Sequence, residues 1–365
     1  PHPRKGERLN NTKTKHQKKL TMLRINRNTS ALTVSLLFGL LSITSCGFDD
    51  GYDKEDTGDD NVKVAFRMAF VNDNTRAVND GWGEYNPTAP GDAYENAINA
   101  DQLQIKVCDK DGNIIGDVQD VRVIDDQITG TWENAGDLLK QANKIMVFAN
   151  CGTANVTPGN ISSLAFRVDQ TKQYIPMWGV TTLTKDLVVG KQNNLGTIDL
   201  LRSLAKVKVK MADGMKARGY ALGSITFNNY NTEGYTLPLT YNTSKNTKEI
   251  LFSSSLNAKP SWSQSVTMTN TDEESIMLYI PEYDNKDAAA DKKASITLNL
   301  KCDGMDDGTY TLQFCNYVDG VADPSTLYNI QRNHYYEYTV NKDDRLNVTL
   351  KVQMWNKRTH SEIIM

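Results

Sequence analysis

Strict alternation of apolar and polar residues, repeated near both ends of the body of this chain, constrains its fold more than any other feature. Val62, Val64, Phe66, Met68 and Phe70 alternate with Lys63, Ala65, Arg67 and Ala69. Leu346, Val348, Leu350, Val352 and Met354 repeat the same spacing close to the C-terminus. A period of two places all five apolar side chains on one face of an extended strand, whereas a helix would scatter them around its circumference. Each segment therefore predicts a strand with one face against a core. Either could fill the same kind of groove between two sheets.

Strand signals fill the sequence between them. Leu103, Ile105 and Val107 alternate, and the run closes at Asp109-Lys110-Asp111-Gly112-Asn113, read as a hairpin turn. Val121–Val123, Lys144–Phe148, Ala165–Val168 and Leu195–Asp199 follow, and only Ala135–Lys144 has a helical pattern. A second set opens with Ala205, Val207, Val209 and Met211 alternating with Lys206, Lys208 and Lys210. It continues through Ile225 and Phe227, Met277–Ile280, a pair over 296–302 and 309–315, and Tyr336–Val340. Many short strands separated by turn signals predict an all-β protein of two tandem β-sandwich domains, over 61–200 and 201–365. Both halves open with an alternating basic-apolar strand.

The first 60 residues have a different character. Residues 1–45 hold nine Lys or Arg and one acid, Glu7, which leaves 32 basic against 43 acidic residues in 46–365. An acidic body repels phosphate backbones, so nucleic acid is not an expected partner. Met22 is read as the initiator, Arg24 and Arg27 as a positive n-region, and Ala31–Ile43 as an apolar stretch too short to span a bilayer. Ile43-Thr44-Ser45-Cys46 then resembles a bacterial lipobox, with Cys46 as the lipidated residue. The acidic run Gly47–Asp60 reads as a solvated tether, and its position after Cys46 resembles a surface-export signal of Bacteroidales lipoproteins.

Catalytic chemistry is sparse. His334 and His360 are the only histidines after residue 45, and no GxSxG, HExxH, GxGxxG or Walker-type glycine loop occurs. Cys108, Cys151, Cys302 and Cys315 lack CxxC spacing and read as free thiols. A turn over Asp303–Gly308 would set Cys302 opposite Thr309 and Cys315 opposite Ile296, which argues against a disulfide between them. Asp109–Asn113 lacks the flanking helices of a calcium loop. Trp82, Tyr85, Trp132, Trp178, Trp262 and Trp355 could stack sugars, but packing is the stronger reading for each. The expectation is a protein that is not an enzyme and has no catalytic residue, metal or cofactor.

One loop carries a processing signal. Directly after the first alternating strand comes Asn72-Asp73-Asn74-Thr75-Arg76-Ala77, an Arg in a polar turn suited to an Arg-specific protease. The segment 62–77 resembles the N-terminal strand and cleavage loop of the Bacteroidales fimbrillins, the type V pilins. Ile175–Gly179, Leu201–Val207, Ile330–Tyr336 and Leu346–Trp355 resemble further segments of that family, in the same order along the chain.

The resemblance implies two tandem Greek-key, transthyretin-like domains and a structural subunit of a surface fimbria. It implies export as a palmitoylated outer-membrane lipoprotein anchored at Cys46, then cleavage after Arg76 to leave Ala77 as the new N-terminus. Val62, Val64, Phe66, Met68 and Phe70 would be the expelled strand. Leu346, Val348, Leu350, Val352 and Met354, with or without 356–365, would be the donor strand offered to a neighbour. His334 would be structural. The partners would be other copies or related pilins, the protease, and the outer membrane before cleavage, with adhesion as the purpose. The tail after Trp355 departs from the pattern, because its first seven residues are polar. A monomeric surface lipoprotein binding glycan or protein, or an uncut anchor or minor subunit, are the alternatives.

Overall fold

The computed structural model describes residues 60–70, 95–124, 127–168, 174–251, 256–259, 265–269, 275–354 and 363–364. For Phe70, Ile124, Leu251, Ser265, Val266, Met268, Thr269, Gln353, Met354, Ile363 and Ile364 the description covers the backbone alone. Cys46, Arg76, Ala77 and the tether up to Asp59 lie outside the described residues.

The first half carries strands β1 (Val62–Phe70), β2 (Ile98–Asn99), β3 (Gln104–Cys108), β4 (Ile114–Ile124), β5 (Gln127–Trp132), β6 (Lys144–Ala149), β7 (Ala165–Arg167), β8 (Met177–Thr182) and β9 (Gln192–Arg202). Seven of them close into a barrel in the order β1-β5-β4-β3-β6-β8-β9. The sequence predicts two stacked sheets here. The barrel closes because β1 pairs on both edges, antiparallel with β5 and parallel with β9. The helix expected over Ala135–Lys144 is a short 3₁₀ segment, Gly136–Gln141. Asp109–Asn113 closes the β3–β4 turn, with Asp109 Oδ1 accepting from the backbone N–H of Asp111 and Asn113, both at 2.9 Å.

The second half carries β10 (Ala205–Met211), β11 (Tyr220–Asn228), β12 (Glu233–Tyr235), α1 (Thr247–Leu251), β13 (Ser265–Thr269), β14 (Ser275–Ile280), β15 (Ser295–Cys302), β16 (Met305–Gln313), β17 (Asn316–Val318), β18 (Val321–Asp323), β19 (His334–Lys342), β20 (Leu346–Met354) and β21 (Ile363–Ile364). Its two four-stranded sheets run β14-β10-β19-β20 and β13-β11-β15-β16. Val207, Val209, Leu278 and Tyr336 of one sheet share a core with Phe227, Ile296, Leu298 and Leu312 of the other. That is the sandwich arrangement, in which alternate residues of each strand point inward.

The β15–β16 hairpin corrects one expected register. Cys302 stands opposite Met305, not Thr309, and Ile296 opposite Leu312, not Cys315. The reason is a tighter turn, with Asp303 at φ 49° and Gly304 at φ 80°, and an irregularity between Leu300 and Lys301. All four described cysteines are free.

Two relationships bear on the site. First, β1 and β10 hold equivalent places. Each opens its half, each is parallel to a late strand (β9 or β19), and each is antiparallel to another (β5 or β14). Second, the polar stretch after β11 covers the outside of the barrel. β12 pairs with β7, Asn246 bridges Thr181, and Leu237 and Ile250 pack with Met146, Phe148 and Trp178.

Candidate functional site

The site is the slot that β1 occupies. Val62, Val64, Phe66 and Met68 project into the barrel core beside Ile128, Trp132, Ile198 and Leu200, while Lys63 and Arg67 remain exposed. The inward face of the pattern is realised at these four positions; Ala65, on the opposite face, is buried as well. Burial of four such groups contributes up to ~10 kcal/mol by area, an upper bound before ordering costs.

Both rims of the slot pair with the strand in register. On β5 the register runs from Val62 opposite Trp132 to Arg67 opposite Gln127. Gly130 stands opposite Val64, where a Cβ would come within 2.5 Å of the Val118 side chain. On β9 the ladder shifts between Ala65 and Arg67, so one β1 residue faces two on β9. Gly196 sits in that bulge at φ 72°, a conformation that favours glycine. Asn193 fastens the strand further, its Nδ2 donating to the carbonyl of Lys63 at 2.9 Å. Asn61 anchors the start, accepting from Asn134 N–H through Oδ1 at 3.0 Å and from Gly190 N–H through its carbonyl at 3.1 Å.

A buried polar clamp fixes the chain just ahead of β2. Glu95 is fully buried. Its Oε1 accepts from the Tyr279 hydroxyl at 2.6 Å and pairs with Lys206 Nζ at 2.5 Å. Its carbonyl accepts from Arg202 Nε at 2.9 Å, and the Arg202 guanidinium also donates to Asn96 Oδ1 and Asn333 Oδ1. Lys206 and Tyr279 lie on β10 and β14, so the segment after the loop is tied to the second half while Ile98 sits in the barrel core. Next to it, Arg332 pairs with Glu282 at 2.8 Å and donates to the carbonyls of Tyr235, Thr236 and Leu237. His334 is buried at the start of β19, its Nδ1 2.7 Å from the Arg332 carbonyl oxygen. Sequence reading passed over Glu95, since one acid in a polar loop reads as solvated. The available signal was Arg202 between Leu201 and Leu204, a cation inside an apolar run that needs a buried partner.

The second alternating strand sits differently. β20 pairs with β19 along its length and forms the edge of its sheet. Val348 and Val352 are buried, and Leu346 and Leu350 pack partly against the second core. Val348 N–H points away from β19 and donates to Gly320 O at 3.1 Å, so the β17–β18 turn covers one end of the edge. In this chain β1 is therefore held by two strands and β20 by one.

Burial pushes the thiols of Cys108 and Cys151 up to about 12 and that of Cys315 to about 11, so none is a thiolate at neutral pH. Among the described residues no three metal-ligating side chains converge.

No family model matches the chain, and no curated protein sequence matches it. Solved structures do. The tip fimbrial protein Mfa3 from Porphyromonas gingivalis, with a C-terminal truncation, is 14% identical, and the match covers 81% of this chain and 100% of that one at a TM-score of 0.49. A fimbrial assembly protein from Parabacteroides distasonis is 13% identical, with 81% and 98% covered and a TM-score of 0.44. The fimbrial anchor protein Mfa2 from Porphyromonas gingivalis is 12% identical, with 82% and 99% covered and a TM-score of 0.32.

Proposed function

We propose that this chain is a structural subunit of a cell-surface fimbria that polymerises by exchanging strands between copies. The observation that carries the reading is the setting of β1. It is the first strand of its half, it fills a slot between β5 and β9, and the polar segment holding Arg76 follows it directly in sequence. One cut after Arg76 would convert β1 from part of the chain into a bound peptide. Its departure would expose an apolar groove with two unpaired strand edges, which a strand of matching periodicity can fill.

β20 has that periodicity and, as an edge strand, has one ladder to break when it leaves its own sheet. Cys46 is the lipid attachment point that carries the precursor to the outer surface, and the acidic segment after it is the tether. Ala77 becomes the N-terminus of the mature subunit. Partners are further copies or related subunits, an Arg-specific protease and, before cleavage, the outer membrane. Adhesion is a property of the assembled fibre.

N-terminal sequencing of fibres purified from the cell surface tests the reading. A start at Ala77 is expected, and fibres whose subunits start at Cys46 would contradict it.

A further inference from the structure

The last described residues, Ile363 and Ile364 of β21, lie parallel to β2, with Ile363 opposite Ile98 and Ile364 opposite Asn99. β2 is not one of the barrel strands and pairs with neither edge of β1, although its Ile98 shares the barrel core with Val62, Val64, Phe66 and Met68. We propose that β2 is a second acceptor edge, filled by the chain's own C-terminus before assembly and by the C-terminus of a neighbouring copy afterwards. The inference rests on the fimbrial reading above and deepens it by naming where the tail goes.

Three observations carry it. The pairing exists within one chain, and a contact made within one chain can form between two identical chains without new chemistry, as in domain swapping.

The edge is also rigid. Asn99 N–H donates to Asn150 Oδ1 at 2.9 Å, and Asn150 Nδ2 donates to the carbonyls of Ala97 and Ile175, both at 2.9 Å. Glu95 and Asn96 are held on the other side by Lys206, Tyr279 and Arg202. An edge that is already fixed loses little freedom when a strand is added.

The third observation is covalent. Trp355 to Glu362, eight residues, link β20 to β21, a reach of at most about 29 Å when extended. If β20 is given to a neighbour, this short link draws β21 away from its own β2. Each copy would then present an empty β2 to the tail that arrives with the incoming strand. The polar run Asn356–Glu362 is then a spacer, and Ile363-Ile364 is the part that docks. In the free monomer the tethered tail out-competes others by its effective concentration.

The test uses two full-length variants, Asn99→Cys and Ile364→Cys, mixed, cut with an Arg-specific protease, assembled and then oxidised. Neither variant can form a 99–364 disulfide within itself, so any such link, mapped by mass spectrometry, joins two copies. The expected result is that link in the filament fraction and its absence from the uncut mixture. Filaments that form without it would overturn the inference while leaving the fimbrial reading intact. A cut parent chain that forms no filaments would overturn the fimbrial reading itself, and this inference with it. A chain ended at Glu362 gives a second readout: its filaments should shed subunits about tenfold faster than the parent's, and unchanged shedding would contradict the docking role.

Discussion

Phe66 of β1 stands directly opposite Ile128 of β5, and neither reaches solvent, at 1% and 0% exposure. This pair sits midway along the strand that closes the barrel, with Val64 and Met68 on the same face. The first half of the molecule therefore depends for its core on a strand that lies ahead of Arg76 in sequence. On the reading proposed above, that dependence is what a cut after Arg76 would exploit.

The Phe66–Ile128 pair sets the first prediction. Phe66→Ala in the uncut chain should cost about 3–5 kcal/mol, the usual range for emptying an aromatic site in a core. Lys63→Ala, on the exposed face of the same strand, should stay within about 0.5 kcal/mol. Urea denaturation of both variants reads the contrast. Equal effects would show that β1 does not hold the barrel in solution.

The clamp after the loop gives the second. Removing one partner of a buried ion pair leaves the other charge uncompensated, so Glu95→Ala should destabilise by about 3–5 kcal/mol. Replacing Glu95 by Leu together with Lys206 by Met removes both charges and should cost less than the sum of the two single changes. A denaturation cycle over the three variants and the parent measures the coupling. Strict additivity would mean the two side chains do not meet.

Acid sensitivity gives the third. Burial raises the Glu337 carboxyl, but the Lys210 ammonium at 2.8 Å and the hydrogen bond from Tyr335 outweigh it, so the group is held below its ordinary value of 4.5. The unfolded chain then takes up this proton at a higher pH than the folded one. The carboxylate's contribution is complete above the unfolded value and is lost as pH falls toward the folded value. Stability measured from pH 6 down to about pH 3 should fall less steeply in Glu337→Gln than in the parent. Glu337 pairs in register with Lys351 of β20, so this titration reports on the sheet that holds β20.

How much of this was legible in the sequence depended on whether an interaction was local. The faces of β1 and β20 could be read because a half-buried strand writes its environment into alternate residues. The Asp109–Asn113 turn could be read because the Asp side chain meets backbone groups two and four residues on. The closure of the first half into a barrel could not, since it depends on β1 meeting β9 across more than 120 residues, through a bulge at Gly196. The covering segment from Tyr230 to Ile250 carries no strand pattern in the sequence, because its polar residues are spent on contacts to the barrel, such as Thr247 Oγ1 with Val180 and Asp199. Glu95 could not be picked out from the sequence, because its partners Lys206 and Tyr279 lie 111 and 184 residues away. The hairpin at Cys302 was misplaced because turn length was inferred from the spacing of Gly304 and Gly308, and the strands pair almost to the Asp303-Gly304 turn.

Electron microscopy of the full chain after treatment with an Arg-specific protease, beside an Arg76→Ala chain treated identically, tests the central claim most directly. The account predicts filaments from the cleavable chain, with the fragment ending at Arg76 absent from them, and monomers alone from the variant. Filaments from Arg76→Ala, or a cut chain that keeps β1 bound and stays monomeric, would contradict it.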